Sequence, residues 1–279
     1  MPHFWQGQFS SLYALAAMGM SYYNAGQITL QHPAGRGLEF AVSYTYSHSI
    51  DEGSDAERNT EFSNANGSFS SIENTWKPQL NRASSDFDTR HLVTGQFVYQ
   101  LPFGAGRQYF ATGHRLANFF IGDWQLSGIA RVSSGLPFTL FEPGWTTNWQ
   151  QEAYGVVTGK VKMDRHFDSN GSPQFFADPS AINQGVNTGG PIRLPYPGEA
   201  GERNRFRGDG YFSIDTGLDK TWNLPYGHLM FSWEVYNVTN TVRFDPASIG
   251  NQLTAGNLGI ASALLTSPRV MQFAMRYGF

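Results

Sequence analysis

The sequence predicts an all-β chain. It reads as about seven antiparallel strands of a larger up-and-down transmembrane β-barrel, with long loops at one end and short turns at the other. Three observations predict this. Large apolar residues recur at every second position in several separate stretches. The linkers between those stretches alternate between tight Pro/Gly turns and long polar segments. Charged residues are only 15% of the chain and aromatics also 15%, while mean hydropathy is −0.37. Soluble domains carry roughly 25% charged residues. A polar average with few charges and many aromatics suits a wall that is greasy on one face and wet on the other.

Residues 1–21 hold a modest apolar stretch, Leu12–Met20, with no Lys or Arg before it and no clean small-residue cleavage site after it. This is a poor secretory signal, and the segment reads as a leader or a remnant of an upstream part. From 22 to 279 the strands follow one another. Gln27–Gln31 is a short alternating stretch, closed by the turn Pro33-Ala-Gly-Arg-Gly37. Leu38, Phe40, Val42, Tyr44 and Tyr46 then alternate with Glu39, Ala41, Ser43, Thr45 and Ser47. Val93, Gly95, Phe97, Tyr99 and Leu101 form a looser set, leaving through Pro102–Arg107 into a link of moderate length. Trp124, Leu126, Gly128, Ala130 and Val132 alternate with Gln125, Ser127, Ile129, Arg131 and Ser133. Phe212, Ile214, Thr216 and Leu218 alternate with Ser213, Asp215, Gly217 and Asp219. The tight turn Asn223–Gly227 leads to Leu229, Phe231, Trp233 and Val235. Last come Met271, Phe273, Met275, Tyr277 and the terminal Phe279, alternating with Gln272, Ala274, Arg276 and Gly278. A period of two marks a strand with two unlike faces, and strands of about 9–11 residues cross a bilayer at a tilt. No apolar run reaches the roughly 18 residues that a transmembrane helix needs.

Placement of the last strand sharpens the reading. Termini usually fray, yet this chain stops on an aromatic inside an alternating strand, as bacterial outer-membrane barrels do. Phe273, Tyr277 and Phe279 are therefore expected to form the membrane-insertion signal read by the barrel-assembly machinery. With Phe279 at the periplasmic end, every short link falls on the periplasmic side, and the long ones (about 49–86, 135–210 and 239–268) fall outside the cell. An odd number of strands cannot close an antiparallel barrel with matched ends, and an open edge in hydrocarbon is costly. Further strands are expected upstream.

Several blocks then resemble one family. NAGQITLQHPAGRGLEF at Asn24–Phe40, followed by SYTYSHSID at Ser43–Asp51, resembles a strand–turn–strand block of TonB-dependent transporter barrels of the Oar-like kind. SSDFDTRHLVTGQFVYQLPFGAGR (Ser84–Arg107), GDWQLSGIARVSSGLPFTL (Gly122–Leu140) and GERNRFRGDGYFSIDTGLDKTWNL (Gly201–Leu224) resemble its successive later blocks. FSWEVYNVTNTVRFDPAS (Phe231–Ser248) and SPRVMQFAMRYGF (Ser267–Phe279) resemble its last two strands. The resemblance implies the C-terminal part of an outer-membrane barrel, residues 22–279, serving uptake of a bulky nutrient. It implies as partners outer-membrane lipid, upstream strands with a plug and a carboxypeptidase-regulatory-like domain, and the TonB complex acting through an upstream segment. A passive porin or adhesin barrel, and a soluble carbohydrate-binding β-sandwich, are the rivals from other classes.

The chemistry-bearing residues fit a wall better than a catalyst. Glu39, Arg131, Asp215, Asp219, Glu234 and Arg276 are expected to face the lumen and to pair across neighbouring strands. Tyr44, Tyr46, Phe97, Tyr99, Trp124, Trp222, Trp233, Tyr277 and Phe279 are candidates for interfacial aromatic girdles. Trp145 and Trp149, near Phe138 and Phe141, either contact a substrate or pack their loop on itself. Arg203 and Arg205, with Arg207, either meet an anionic substrate or lipopolysaccharide or face acidic loop residues. The acidic run Asp51, Glu52, Asp55 and Glu57 lacks EF-hand spacing. The seven histidines are scattered, and no cysteine is present. Nucleophile-elbow, phosphate-loop and dinucleotide motifs are missing from the sequence. No enzyme, cofactor or metal is expected, and a net charge of −3 argues against nucleic acid as a partner.

Overall fold

The computed structural model describes residues 19–35, 37–54, 72, 74, 76–110, 115–142 and 153–279. Seven long strands form one antiparallel sheet: β1 (Ser21–Gly35), β2 (Leu38–Asp51), β3 (His91–Gln100), β4 (Trp124–Ser133), β5 (Phe212–Leu224), β6 (Gly227–Tyr236) and β7 (Val270–Gly278). Their order in space is their order in the chain, the up-and-down topology. The two-residue strand Ala83–Ser84 adds to the far end of β2.

Register sorts the side chains by face. Pairing runs from Leu38 to Tyr99, Leu126, Leu218, Trp233 and Phe273, so one row across β2–β7 is wholly apolar. The adjacent row runs from Glu39 through Val98, Ser127, Gly217 and Glu234 to Gln272. Because the side-chain period is two, this register keeps every apolar set from the sequence on one face. All nine girdle aromatics lie on that face or at its end. Tyr99, Trp124, Trp222, Tyr277 and Phe279 gather at the end bearing the short turns. Among the described residues no second sheet of comparable size accompanies the long one, which does not favour the soluble sandwich.

Three strands are longer than the sequence suggests, among them β2, which continues past Ser47 to Asp51. β1 spans 15 residues because pairing with β2 extends through Tyr22, Asn24 and Gly26, whose polar and small side chains hide the alternation. β5 continues past Asp219 to Leu224 and places Lys220 on the apolar face opposite Trp124 and Phe231. The β5–β6 turn is the two residues Pro225 and Tyr226, between the paired Leu224 and Gly227. Gly227 holds φ of 153°, which a side chain would resist. The link from β3 to β4 contains a short helix, α1 (Arg115–Ile121).

The long connections at the opposite end form a packed body. Segment 134–211 forms four short ribbons, Pro137–Phe138 with Phe206–Arg207, Phe141–Glu142 with Ala153–Tyr154, Val156–Val157 with Ile192–Arg193, and Met163–Phe167 with Pro173–Phe176, and segment 237–269 joins it through the single bridges Phe141 to Gln252 and Gln174 to Ile260. Helix α2 (Pro179–Gly185) starts at Asp178, whose carboxylate accepts from the Ala181 N–H. Phe138, Phe176 and Phe206 pack ring on ring at 5.5–6.2 Å, and Phe175 meets Phe244 at 6.4 Å. The buried hydrophobic cluster, which includes Leu140, Ile192, Leu253 and Leu258, belongs wholly to these two connections. The core of the chain sits in its loops. Among the described residues the sheet contributes nothing to this cluster, and much of its apolar face is exposed.

Candidate functional site: a capped polar face

The polar face of the sheet is open at its turn end and covered at its loop end. Ser47, Ser49 and Asp51 on β2 and Ser213 on β5 are buried there, beneath the loop body. Their short polar side chains follow from the alternation, which puts the odd-numbered residues of β2 and β5 on this face.

A buried charge network fastens the cover. Arg203 is 6% exposed in its side chain. Its Nε donates to the Asn81 carbonyl at 3.1 Å. Nη1 donates to Ser54 Oγ at 3.1 Å and Asp86 Oδ1 at 3.4 Å, and Nη2 to the Asp51 carbonyl at 2.9 Å and the Asp51 carboxylate. All five N–H donors of the guanidinium are thereby used inside the protein. Asn204, at φ of 54°, donates its amide nitrogen to the Ser84 carbonyl at 2.7 Å and to the Asp86 carboxylate. Arg207 donates to the Asp88 carbonyl at 2.8 Å, the Gly135 carbonyl at 3.0 Å and the Asp88 carboxylate. Asp88 also accepts from the Ser49 N–H at 2.7 Å and Arg90 Nε at 2.9 Å. Burial alone pulls the Asp88 carboxyl upward, but the Ser49 N–H and the Arg207 and Arg90 guanidinium groups overcome it and hold it below the usual carboxylate range.

The cover is braced elsewhere as well. Asp209 takes Arg165 at 2.7 Å from its own connection, and the Phe244 N–H at 3.1 Å from the other long one. Arg193 grips Glu199 through both oxygens, and this pair, with the Tyr196 N–H, lowers the Glu199 carboxyl to about 2.

Two clefts open on the polar face. One of about 180 Å³ lies beneath the cover, with Tyr23 and Phe87 as walls and Thr45, Ser47, Ser49 and Leu92 as floor. The other, about 270 Å³ at the turn end, is lined by Gln100, Gln125, Asp219, Thr221 and Asn223, with Asp123 and Lys220 at its margin. Such surfaces can hold or pass a polar solute. Among the described residues no group of three or more His, Cys, Asp or Glu is placed to hold a metal.

The expected site residues distribute unevenly. Trp145 and Trp149 lie outside the described residues, as do Asp55 and Glu57. Their neighbours Phe138 and Phe141 are buried, packing the connection on itself. Of the two expectations for Arg203, the structure shows the second: it faces the acidic residues Asp51 and Asp86, and all five of its guanidinium donors are used within the protein. Arg205 keeps its guanidinium in solvent beside Glu202 at 3.2 Å. Phe273 stacks on Trp233 at 5.8 Å, Tyr277 donates its hydroxyl to the Tyr226 carbonyl at 2.9 Å, and Phe279 extends one residue past β7, fully exposed.

Glu39, Arg131, Asp215, Asp219, Glu234 and Arg276 all lie on the polar face. Among the described residues no ion pair joins any two of them, contrary to expectation. The register sets neutral residues opposite them: Arg131 faces Thr94 and Ser213, and Glu234 faces Gln272 and Gly217. Arg131 instead lies over the Tyr211 ring at 5.4 Å. Asp86, Asp88, Arg90 and Asn204 were missed. The signal available was the match between two charge-dense runs of opposite leaning, Asp86–Arg90 and Glu202–Arg207.

A family model described as an outer membrane beta barrel domain matches residues 2–272. No curated protein matches the chain, and no solved structure does. The family match reaches from ahead of β1 into β7 and agrees with a single up-and-down sheet of unlike faces. The chain belongs to the outer membrane beta barrel domain family and resides in the outer membrane.

Proposed function

We propose that the chain forms the C-terminal wall and the extracellular cap of a TonB-dependent, Oar-like transporter that takes up a bulky nutrient. The observation that carries this reading is the cap itself. Two long connections build a body with its own hydrophobic core and fasten it over the polar face. A barrel specialised for passive diffusion of small solutes gains nothing from such a lid, whereas a transporter uses one to recognise cargo before admission. The resemblance of the strand blocks to Oar-like barrels supports the same reading. Arg205 and the clefted polar face, together with Trp145 and Trp149, are the proposed cargo contacts.

Among the described residues nothing pairs with the outer edges of β1 and β7, and this bears on the partners. Bare backbone groups in hydrocarbon each cost several kcal/mol, so further strands complete the wall, and a plug fills it. Purification from outer membranes through a tag on this chain tests the proposal. Co-purification of a plug-bearing polypeptide that captures the periplasmic domain of TonB, and that stays closed in planar bilayers, is the expected result. A steady open conductance without TonB capture overturns it in favour of a passive pore.

A further inference from the structure

Helix α1 stands outside everything described above. It lies at the turn end of the sheet, in the link from β3 to β4, and is held against the apolar face. Trp222 Nε1 donates to the Phe119 carbonyl at 2.7 Å and Trp124 Nε1 to the Phe120 carbonyl at 2.8 Å. Lys220 Nζ donates to the Gly122 carbonyl and lies 5.3 and 5.4 Å from the rings of Trp124 and Trp222. The last carbonyls of a helix lack partners within it and carry partial negative charge. Here two indoles satisfy the Phe119 and Phe120 carbonyls and an ammonium that of Gly122 just past the helix, all three side chains projecting from the apolar side of β4 and β5. Lys220 is only 2% exposed. Its place on the lipid-directed face is thus accounted for by α1, which covers the charge.

The link is fixed at its base too. Asn118 Oδ1 accepts from the Ala105 N–H at 2.6 Å, and Arg107 lies 3.6 Å from Asp123. A Cβ on Gly104 would sit 2.7 Å from Gly122 Cα, a backbone approach closed to any other residue. Yet the helix presents large apolar side chains outward. Leu116 is 77% and Phe120 66% exposed, with Tyr226 of the neighbouring turn and the terminal Phe279 bare beside the same sheet end.

We infer that α1 is an interfacial foot lying in the periplasmic leaflet of the outer membrane, with Leu116 and Phe120 inserted at the boundary between phospholipid headgroups and acyl chains. The inference rests on the reading that the apolar face meets lipid and the turn end faces the periplasm. The occupant follows from continuity: the helix is seated on the face that lipid already covers, at the level of the Trp124, Trp222 and Tyr277 girdle. Interfacial helices of this kind bury their apolar side shallowly and keep their polar groups in the headgroup layer. The foot would hold the longest turn-end link flat against the membrane and away from the lumen mouth.

The chain has no cysteine, so single cysteines can carry nitroxide labels in outer-membrane vesicles that contain the protein. Leu116→Cys tests the foot, Val42→Cys on the apolar face of β2 is the lipid reference, and Gly256→Cys in the cap is the water reference. An added Cβ at Gly256 meets nothing within 4 Å. Relaxation by dissolved oxygen and by a water-soluble nickel chelate gives the depth of each label. The expected result is several-fold more oxygen than nickel collision at both Leu116→Cys and Val42→Cys, with the reverse at Gly256→Cys. Nickel access at Leu116→Cys with Val42→Cys still in lipid overturns the foot alone. Protection from both reagents at Leu116→Cys overturns it in favour of a protein cover. Nickel access at Val42→Cys overturns the lipid-facing wall, and the foot with it.

Discussion

Arg203 is the residue on which the cap depends most directly. It ties Asp51 and Asp86 to the long connection, and the Asp51 carboxylate it meets is buried. Removing one partner of a buried pair leaves the other charge without compensation, at about 3–5 kcal/mol. Arg203→Ala is therefore expected to release the cap locally, seen as faster amide hydrogen exchange over residues 49–54 and 84–88; unchanged protection there would refute the tie. Asp88 sets the pH response of the same network. Its carboxyl is depressed in the folded state, so the stabilisation is complete above the ordinary carboxylate value. It disappears as pH falls through the lower, folded value. Exchange at the Ser49 amide should stay slow from neutral pH through mild acid and accelerate only in strong acid, once the intrinsic pH dependence of exchange is divided out. Acceleration already near pH 6 would contradict this.

Individual strands answer to lipid rather than to a protein core. Phe231 on β6 touches Trp124 at 6.2 Å and Phe273 at 6.4 Å on the apolar face. Placing Arg there is expected to cost about 2–4 kcal/mol if the position is at mid-bilayer depth. Folding into lipid vesicles against denaturant measures it, and an unaltered folding free energy would invert the face assignment. On β7, Phe279→Ser should impair assembly, lowering the heat-modifiable band in the membrane fraction; an unaffected band would remove Phe279 from the insertion signal. Strands were the legible part of this sequence, since alternation is local and Leu38–Ser47 or Met271–Phe279 declares itself without knowledge of its partner. Legibility failed where local chemistry breaks the pattern. Asn24 and Gly26 hid half of β1, and Lys220 disguised the continuation of β5, because a cation on a lipid-directed face makes sense only once α1 is seen to cover it.

At the scale of the whole molecule, wall and cap are held together by different means. The cap has an aqueous hydrophobic core centred on Phe176, which is fully buried. Phe176→Ala is expected to cost about 3–5 kcal/mol, opening 134–211 and 237–269 to protease while the sheet stays intact. Simultaneous loss of sheet and cap would show instead that the two are one cooperative unit. Beyond the expectation that the loop near Phe138 and Phe141 packs on itself, little of this core was legible in advance. Phe175, Phe176, Leu253 and Leu258 lie in irregular segments without period, and their contacts cross from one long connection to another. That Arg203 faces acidic loop residues was one of the two readings the sequence allowed, but its partner Asp51, 152 positions away, was not legible.

A core located in the loops also gives the chain a direction. Its rings come from two separate connections, so the cluster is complete only when both lie together at the loop end of the sheet. Once Phe138, Phe176, Phe206 and Phe244 have clustered there, the assembled body is too bulky to slip back between the strands. Withdrawal would require dissolving that cluster in water first. The cap thus acts as a toggle on a cord, and the hydrophobic effect outside the membrane retains a wall whose own stability comes from within it.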